Sequence, residues 1–189
     1  PADANETAAA WATALESATG PVALILSRQN LPVLDGTAER APDGTAQGGY
    51  VLWEASPISD AVGHTGTEPD VILIATGSEV QLAVAAAQTL TELDVAARVV
   101  SMPCLEWFEQ QPEEYREAVL PSRVRARVAV EAGLPLSWWK LVGDAGQVVG
   151  IDHYGASADQ ATLFREFGLT ADAVVEAARA SLTKASEGR

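Results

Sequence analysis

The chain has 189 residues, of which 48% are hydrophobic and 20% are charged, as expected for a globular chain of one domain with part of another attached. Its net charge of -14 argues against binding to nucleic acid or to anionic membranes, because both require a cationic protein surface. No apolar run reaches the ~18 residues of a membrane span, and the acidic N-terminus does not resemble a signal peptide, so we expect a cytoplasmic protein.

The first third of the sequence contains few regular elements. An alanine-rich helix is predicted from Ala4 to Ala18, and Gly20-Pro21 ends it. The apolar run Val22 to Leu26 predicts a short strand that is buried on both faces. From Asn30 to Pro69 proline and glycine recur, which predicts an interdomain linker with one short strand at Tyr50 to Trp53.

From Asp70 onward strands and helices alternate. Strands are predicted at 71–75, 98–101, 126–130 and 148–152, and helices at 79–93, 105–110, 113–119, 137–142, 158–167 and 172–182. Ser78 with Gln81, and Ser157 with Gln160, have the spacing of capping boxes. The fold class is therefore α/β: a three-layer α/β/α domain with a mostly parallel sheet, preceded by a helix-strand remnant of another α/β domain.

Seven segments, in this order, resemble the C-terminal portion of a transketolase. They are Gly20 to Asn30, Gly48 to Leu52, Ile74 to Val80, Ala97 to Pro103, Tyr115 to Pro121, Ala129 to Gly133 and Gly155 to Ala158. The resemblance implies that residues 1–34 end the pyrimidine-binding domain, that 35–69 form a linker, and that 70–189 form the C-terminal domain. Dihydroxyacetone synthase and 1-deoxyxylulose-5-phosphate synthase share the architecture, and the run from Ala129 followed by Trp138-Trp139 favours transketolase.

The resemblance also implies an activity for the longer protein. Transketolases are homodimers of the pentose phosphate pathway that move a two-carbon ketol unit between sugar phosphates, using thiamine diphosphate and Mg²⁺ (or Ca²⁺). The family's cofactor-binding, metal-binding and catalytic residues precede Pro1, so we expect no such residue here and an inactive fragment that needs the remainder of the chain. The preferred sugars and the reason for the start at Pro1 stay open. The alternative is an autonomous, non-catalytic α/β module with a dimerisation or regulatory role.

Arg28 is the candidate substrate-binding residue. It directly follows a predicted buried strand, where open α/β sheets bind ligands, and a guanidinium can contact a phosphate through two hydrogen bonds. From the residues alone, a structural ion pair is the alternative. In transketolases the arginine of this Ser-Arg-Gln-Asn run binds the substrate phosphate, and the resemblance assigns that role to Arg28. We expect the flanking Ser27, Gln29 and Asn30 to hold the loop.

The remaining polar and aromatic candidates have structural explanations. The only cysteine, Cys104, is expected to be a small buried apolar residue, and the distant His64 and His153 are poor candidates for a metal site. We expect a surface or interface position for His153. Thr76-Gly77-Ser78 is expected to cap a helix rather than bind phosphate. Arginines 123, 125 and 127 are expected to be solvated or to pair with acids such as Glu113 and Glu114, and Trp138 and Trp139 to point in different directions.

Overall fold

The computed structural model describes residues 1–16, 20–55 and 68–187. Its five strands are β1 (Tyr50–Glu54), β2 (Val71–Ala75), β3 (Ala97–Ser101), β4 (Arg127–Val130) and β5 (Gln147–Val149). Its α-helices are α1 (Ala4–Glu16), α2 (Thr37–Ala46), α3 (Val80–Glu92), α4 (Leu105–Glu109), α5 (Glu113–Val119), α6 (Trp139–Val142), α7 (Gln160–Glu166) and α8 (Ala171–Glu187), with 3-10 turns at Gly77–Glu79 and Pro135–Trp138. Within these ranges no helix is both long enough and apolar enough to cross a membrane.

The strands form one sheet in the order β1-β3-β2-β4-β5. Strands β3, β2, β4 and β5 are parallel, and β1 is antiparallel to β3 at one edge. Successive side chains of a strand point to opposite faces, and β2 shows this directly. Val71, Leu73 and Ala75 belong to the core under α3 and α8, whereas Ile72 and Ile74 belong to a second core with residues of α4, α5 and α6. The predicted three-layer architecture with a mostly parallel sheet is confirmed.

The segment 22–26 differs from its prediction. It has no regular secondary structure, and within the described residues it pairs with no strand. Val22, Ile25 and Leu26 are 41%, 87% and 54% exposed. The prediction of a buried strand here was wrong for this chain, because an apolar run becomes a buried strand only where a sheet receives it on both faces.

Helix α2 lies inside the region predicted to be a linker, and the sequence did not predict it. Its Pro42 and Gly44 suggested a break in regular structure. Gly44 instead allows a close contact, because a Cβ atom there would lie 2.2 Å from the ring of Tyr50. Gly48 has a similar role with a positive φ of 83°, since a Cβ would lie 2.4 Å from the Cys104 carbonyl oxygen. The division into domains at residues 34 and 69 stays a prediction.

Both predicted capping boxes were wrong in detail. Gln81 donates its side-chain amide to the Ser78 carbonyl oxygen (2.9 Å), and the Ser78 hydroxyl donates to the Glu79 carboxylate instead of accepting from the helix. The cap of α7 is Asp159, whose carboxylate accepts from the Thr162 amide (3.0 Å). At α7 a carboxylate, a stronger acceptor than a hydroxyl, thus replaces the predicted Ser157 cap, whereas the start of α3 has no side-chain cap. Thr170 caps α8, because its hydroxyl oxygen accepts from the Ala173 amide (3.2 Å).

Helix α1 is attached to the sheet through the buried carboxylate of Glu6. One of its oxygens accepts hydrogen bonds from the hydroxyls of Tyr50 (2.9 Å) and Ser101 (2.6 Å), and the other accepts from the Ala2 amide. These partners lie on β1, on β3 and just before α1. Burial and the nearby Glu6 raise the pKa of Tyr50 far above its usual range, so its hydroxyl stays protonated and available as a donor.

A second carboxylate, Asp3, connects α1 to α2. Its oxygens accept from the amides of Glu6 and Leu34 (both 2.9 Å) and from the Thr37 hydroxyl (2.6 Å). Arg40 of α2 in turn donates to the carbonyl oxygens of Val51 (3.1 Å) and Leu52 (2.8 Å) in the edge strand β1. The N-terminal helices are thus held to the sheet by polar contacts as well as by apolar packing.

We expect Glu6→Ala to lower the free energy of unfolding by roughly 2–4 kcal/mol, because it leaves buried donors without an acceptor. Glu6→Gln keeps one acceptor oxygen and should lose less. Urea unfolding, followed by circular dichroism, measures both. The matched control is Glu16→Ala at the exposed end of the same helix. A loss for Glu6→Ala no larger than that of the control would contradict this account.

Candidate functional site at the carboxyl edge of the sheet

A cleft of about 640 Å³ in the described structure lies at the carboxyl ends of the parallel strands. This is the edge where open α/β sheets bind ligands. Its lining includes the apolar segment 22–27 and the turns that follow β2, β3 and β4. Among the described residues that line it, the acidic ones are Glu79, Glu106 and Glu131, and none is a lysine, arginine or histidine.

Glu79 lies in the 3-10 turn after β2 and is only 3% exposed. Its carboxylate accepts from the Ser78 hydroxyl and from the backbone amide of Ala132. Burial raises the pKa of Glu79 above its usual value, and these hydrogen bonds offset part of that effect. The turn Thr76-Gly77-Ser78 therefore surrounds a carboxylate, which disfavours a phosphate at the same point.

Glu131 directly follows β4, and β2 and β4 are neighbours in the sheet with Ala75 opposite Val130. The two acids therefore leave the same edge side by side. Burial raises the pKa of Glu131 to about 7, the charge of Glu79 adds to that rise, and a hydrogen bond from the Trp138 side chain opposes it. Near neutral pH the Glu131 carboxyl can therefore hold or release a proton.

Arg28, the predicted phosphate ligand, is exposed and is not among the residues that line this cleft. Arg28 follows the segment 22–27 directly in sequence, but the structure does not bring it to Glu79 and Glu131. Its substrate-binding role stays a prediction. His64 lies outside the described residues. His153 is exposed, with Nδ1 2.8 Å from the Tyr154 carbonyl oxygen and its ring against Phe167 at 4.7 Å.

The two adjacent tryptophans point in different directions, as expected. Trp138 is buried and contacts Glu131, whereas Trp139 is 49% exposed. The three alternating arginines have partners other than Glu113 and Glu114, which corrects the expected pairing. Arg123 pairs with Glu68, and Arg125 pairs with Asp144 (2.6 Å).

Arg127 is the third of these arginines and is half-buried. Its guanidinium donates to the carbonyl oxygens of Leu120, Pro121, Val124 and Leu141, at distances from 2.7 to 3.1 Å. Burial lowers the pKa of Arg127 from its usual value. Backbone carbonyl oxygens therefore bind this guanidinium, and the charge of the nearby Glu117 offsets part of the fall in its pKa.

Sequence reasoning missed the acidic pair. Neither Glu79 nor Glu131 was predicted from the sequence to be a functional residue. The available signal was a glutamate soon after each of two strands that a parallel sheet could place side by side. The sequence does not show the order of the strands. β2 and β4 are neighbours in the sheet, although β3 lies between them along the chain.

We expect Glu131→Gln to stabilise the fold at pH 8 by roughly 1–3 kcal/mol and to have a smaller effect at pH 5. The folded pKa of about 7 lies above the usual value of 4.5, so the folded state keeps a proton that the unfolded chain has lost. Wild-type stability therefore falls as the pH rises from about 4.5 to 7, and glutamine removes this loss.

The measurement is urea unfolding from pH 5 to pH 8.5, with Glu176→Gln on the exposed face of α8 as the matched control. The control should follow the wild type at every pH. Equal effects of Glu131→Gln at pH 5 and pH 8 would show that the Glu131 carboxyl does not titrate in this range.

Comparison with known proteins identifies the family. A protein-family model described as the transketolase-like TK C-terminal domain matches residues 48–170. The transketolase of Mycobacterium tuberculosis is 63% identical over 184 residues, which are 96% of this chain and 25% of that relative. The present chain thus spans about a quarter of the length of such curated relatives.

Solved structures agree. The transketolase of Pichia stipitis in complex with sedoheptulose-7-phosphate superimposes with a TM-score of 0.84 at 36% identity, over 99% of this chain and 25% of that one. A split-gene transketolase, described as an inactive β4 tetramer, gives a TM-score of 0.71 at 28% identity, over 97% of this chain and 56% of that one. The chain therefore belongs to the transketolase family and corresponds to the C-terminal part of its members.

Proposed function

We propose that this chain is the C-terminal part of a cytoplasmic, homodimeric transketolase of the pentose phosphate pathway. The complete protein would transfer a two-carbon ketol unit between sugar phosphates with thiamine diphosphate and Mg²⁺ (or Ca²⁺). The observation that carries this proposal is the 63% identity to a transketolase over 96% of the chain. The sugar phosphate in the complex of the related Pichia protein supports the substrate class.

The cofactor and its metal are assigned to the remainder of the protein. Within residues 1–16, 20–55 and 68–187, no three His, Cys, Asp or Glu side chains are grouped so that they could hold a metal ion. The acidic cleft also suits a diphosphate poorly, because its lining carries carboxylates and no basic side chain. We therefore propose that the chain is inactive alone, and the inactive tetramer of the split-gene relative supports this.

The apolar surface at the N-terminal end supports the same proposal. Val22, Ile25, Leu26 and Val33 are all more than 40% exposed, and so are Trp11 and Leu15 on α1. Exposed apolar side chains in such a group usually mark a contact surface. We propose that the preceding part of a transketolase covers them and that the segment 22–26 joins its sheet there, where a strand could be buried on both faces.

For Arg28 we propose the role of a phosphate ligand in the assembled enzyme. Its guanidinium is exposed and directly follows the segment proposed to join the second sheet. An arginine at that sheet's carboxyl end could contact a sugar phosphate through two hydrogen bonds, whereas the acidic cleft could not attract it.

The first test joins this chain to the first three-quarters of the Mycobacterium tuberculosis transketolase, in place of that enzyme's own C-terminal part. We expect the chimera to transfer ketol units between sugar phosphates when thiamine diphosphate and Mg²⁺ are supplied, because the sequences agree at 63% of positions. The isolated chain should show no transfer. A folded, dimeric chimera without activity would argue against the proposal.

The second test is Arg28→Ala in the active chimera. We expect KM for the phosphorylated substrate to rise at least tenfold, because a charge-assisted pair of hydrogen bonds contributes about 1.5–3 kcal/mol. Arg28→Lys keeps the charge and should give an intermediate KM. Arg165→Ala removes an exposed arginine that pairs with Glu166 and serves as the control. An unchanged KM for Arg28→Ala would refute the role.

The alternative is an autonomous, non-catalytic α/β module with a dimerisation or regulatory role. Two buried cores on the two faces of one sheet, both within the described residues, favour a fold that is stable by itself. The same chimera separates the two proposals. Activity would favour the enzyme, and a monodisperse isolated chain combined with an inactive chimera would favour the module.

A further inference from the structure

The exposed large apolar side chains of this chain are concentrated in two places. Among the described residues they number eleven, and six of them form the N-terminal surface that includes Trp11 and Ile25. Leu93 lies apart from the others, at the end of α3. The remaining four follow β4 and β5, and we call them the edge surface: Leu134, Leu136, Trp139 and Tyr154. Apolar exposure that is grouped in this way usually marks a contact surface.

The two loops that carry the edge surface are joined to each other. Strands β4 and β5 are parallel neighbours, so both loops leave the sheet at its carboxyl edge. The Ile151 amide donates to the Gly133 carbonyl oxygen (2.8 Å). A Cβ on Gly150 would lie 3.0 Å from that same oxygen and 3.1 Å from the Pro135 ring, so the two loops are closely packed. The loop after β4 and the loop after β5 therefore form one continuous surface.

Buried and packed groups hold the edge surface in place. Trp138 anchors the 3-10 turn after β4 in a hydrophobic core, and the Ala132 amide donates to the Glu79 carboxylate in the turn after β2. In the loop after β5, the His153 ring packs against Phe167 with the ring centroids 4.7 Å apart. A partner would therefore meet a surface that is already shaped, which lowers the entropy cost of binding.

The first residue of the chain lies at the same edge of the sheet. Pro1 lines the cleft, and a Cβ on Gly77 in the turn after β2 would lie 4.0 Å from the Pro1 carbonyl oxygen. Strand β4 is the neighbour of β2, so the loop after β4 begins one strand spacing, about 5 Å, from that turn. The matched region is 25% of a related transketolase. A preceding part of that size, attached at Pro1, would have the edge surface within reach and at high effective concentration.

The charges around the edge surface disfavour a second copy of this chain as its partner. Glu131 follows β4, and the exposed Asp152 and Asp159 lie in the loop after β5. Between β4 and α7 the only lysine or arginine is Lys140, and it pairs with an acid of α4 (2.6 Å). In a two-fold dimer the same surface meets itself, so these acids would face acids. A partner with basic side chains fits better.

We propose that the edge surface is a docking surface for the part of the protein that precedes Pro1. Apolar side chains of that part cover the edge surface, and its basic side chains face Asp152 and Asp159. The preceding part then contacts this chain at two places beside the cleft, the N-terminal surface and the edge surface. One contact would allow the two parts to turn about it, whereas two separate contacts fix their relative orientation. This inference rests on the proposed function, which assigns only the N-terminal surface to that part.

The experiment measures maleimide labelling of single cysteines in the chimera with the first three-quarters of the Mycobacterium tuberculosis transketolase. The test variants are Tyr154→Cys and Leu136→Cys. The control is Leu93→Cys, which lies just before β3 and thus at the amino edge of the sheet. Cys104→Ser removes the native thiol of this chain from all three variants. Mass spectrometry of the separated peptides gives the rate at each cysteine.

The structure makes the expected order of rates informative. In the present chain Tyr154 and Leu136 are 99% and 80% exposed, and Leu93 is 45% exposed. In the chimera we expect the two test cysteines to react about tenfold more slowly than the control, because a covered thiol reacts only when the contact opens. Test cysteines that react as fast as the control, or faster, would overturn the proposal.

Cross-linking identifies what covers the surface. A benzophenone attached at Asp152→Cys, on the exposed rim, forms a covalent bond on irradiation with a group that lies over the edge surface. Cross-linked peptides from the part before Pro1 would support the proposal. Cross-links found only within these 189 residues would overturn it, and a link to the edge surface of a second copy would show self-association instead.

Hydroxyl-radical oxidation of the unsubstituted chimera supplies a measurement that does not depend on a variant folding. We expect Trp139 and Tyr154 to be oxidised about fivefold more slowly in the folded chimera than in urea, because the contact excludes solvent from them. Equal rates would contradict the proposal. An active chimera with an uncovered edge surface would overturn this inference alone, whereas a folded, inactive chimera with a covered edge surface would overturn only the proposed ketol transfer.

Discussion

The buried carboxylate of Glu6 is the interaction on which the arrangement of the N-terminal half depends. A charge can be buried only where several donors replace its water, and here hydroxyls from two strands and a backbone amide do so. Because the donors come from β1, β3 and the chain before α1, the carboxylate fixes all three relative to one another. Asp3 then extends the same network to α2. An element that would otherwise be a loosely attached helix becomes part of the layer over the sheet.

The carboxyl edge of the sheet shows the opposite use of acids. Glu79 accepts from the Ser78 hydroxyl and the Ala132 amide, whereas Glu131 accepts from the Trp138 side chain, and the charge of Glu79 raises the pKa of Glu131. At one place in the fold a fully hydrogen-bonded carboxylate gives fixed geometry, and at the other burial and a neighbouring charge raise the pKa of Glu131 to about 7. The difference lies in the surroundings of each carboxylate rather than in the residue type.

The strands and helices after residue 70 could be predicted closely from the sequence, because apolar runs and helical periodicity indicate local structure directly. The run Val71–Ala75 and the helix after it are examples. The segment 22–26 has an equally apolar sequence, but within the described parts of the chain it joins no sheet, so periodicity alone gave a wrong prediction. Helix α2 was not predicted, because Gly44 looked like a helix breaker although it allows a close contact with Tyr50. The acidic pair was not predicted, because the local sequence does not show the order of the strands in the sheet. The resemblance predicted the family correctly, and the phosphate-binding role proposed for Arg28 still rests on that resemblance.

The hydrogen bonds from Arg40 to β1 have a consequence for the behaviour of the protein at high concentration. An edge strand with unsatisfied carbonyl groups offers a template on which a second molecule can add its own strand. Arg40 occupies the carbonyl oxygens of Val51 and Leu52, and it places a positive charge where an incoming backbone would have to lie. At the far edge β5 has only three residues, too few to support extensive pairing. Both edge strands of the sheet thus resist self-assembly into fibrils. The guanidinium group of Arg40 protects β1, and β5 is protected because it is short.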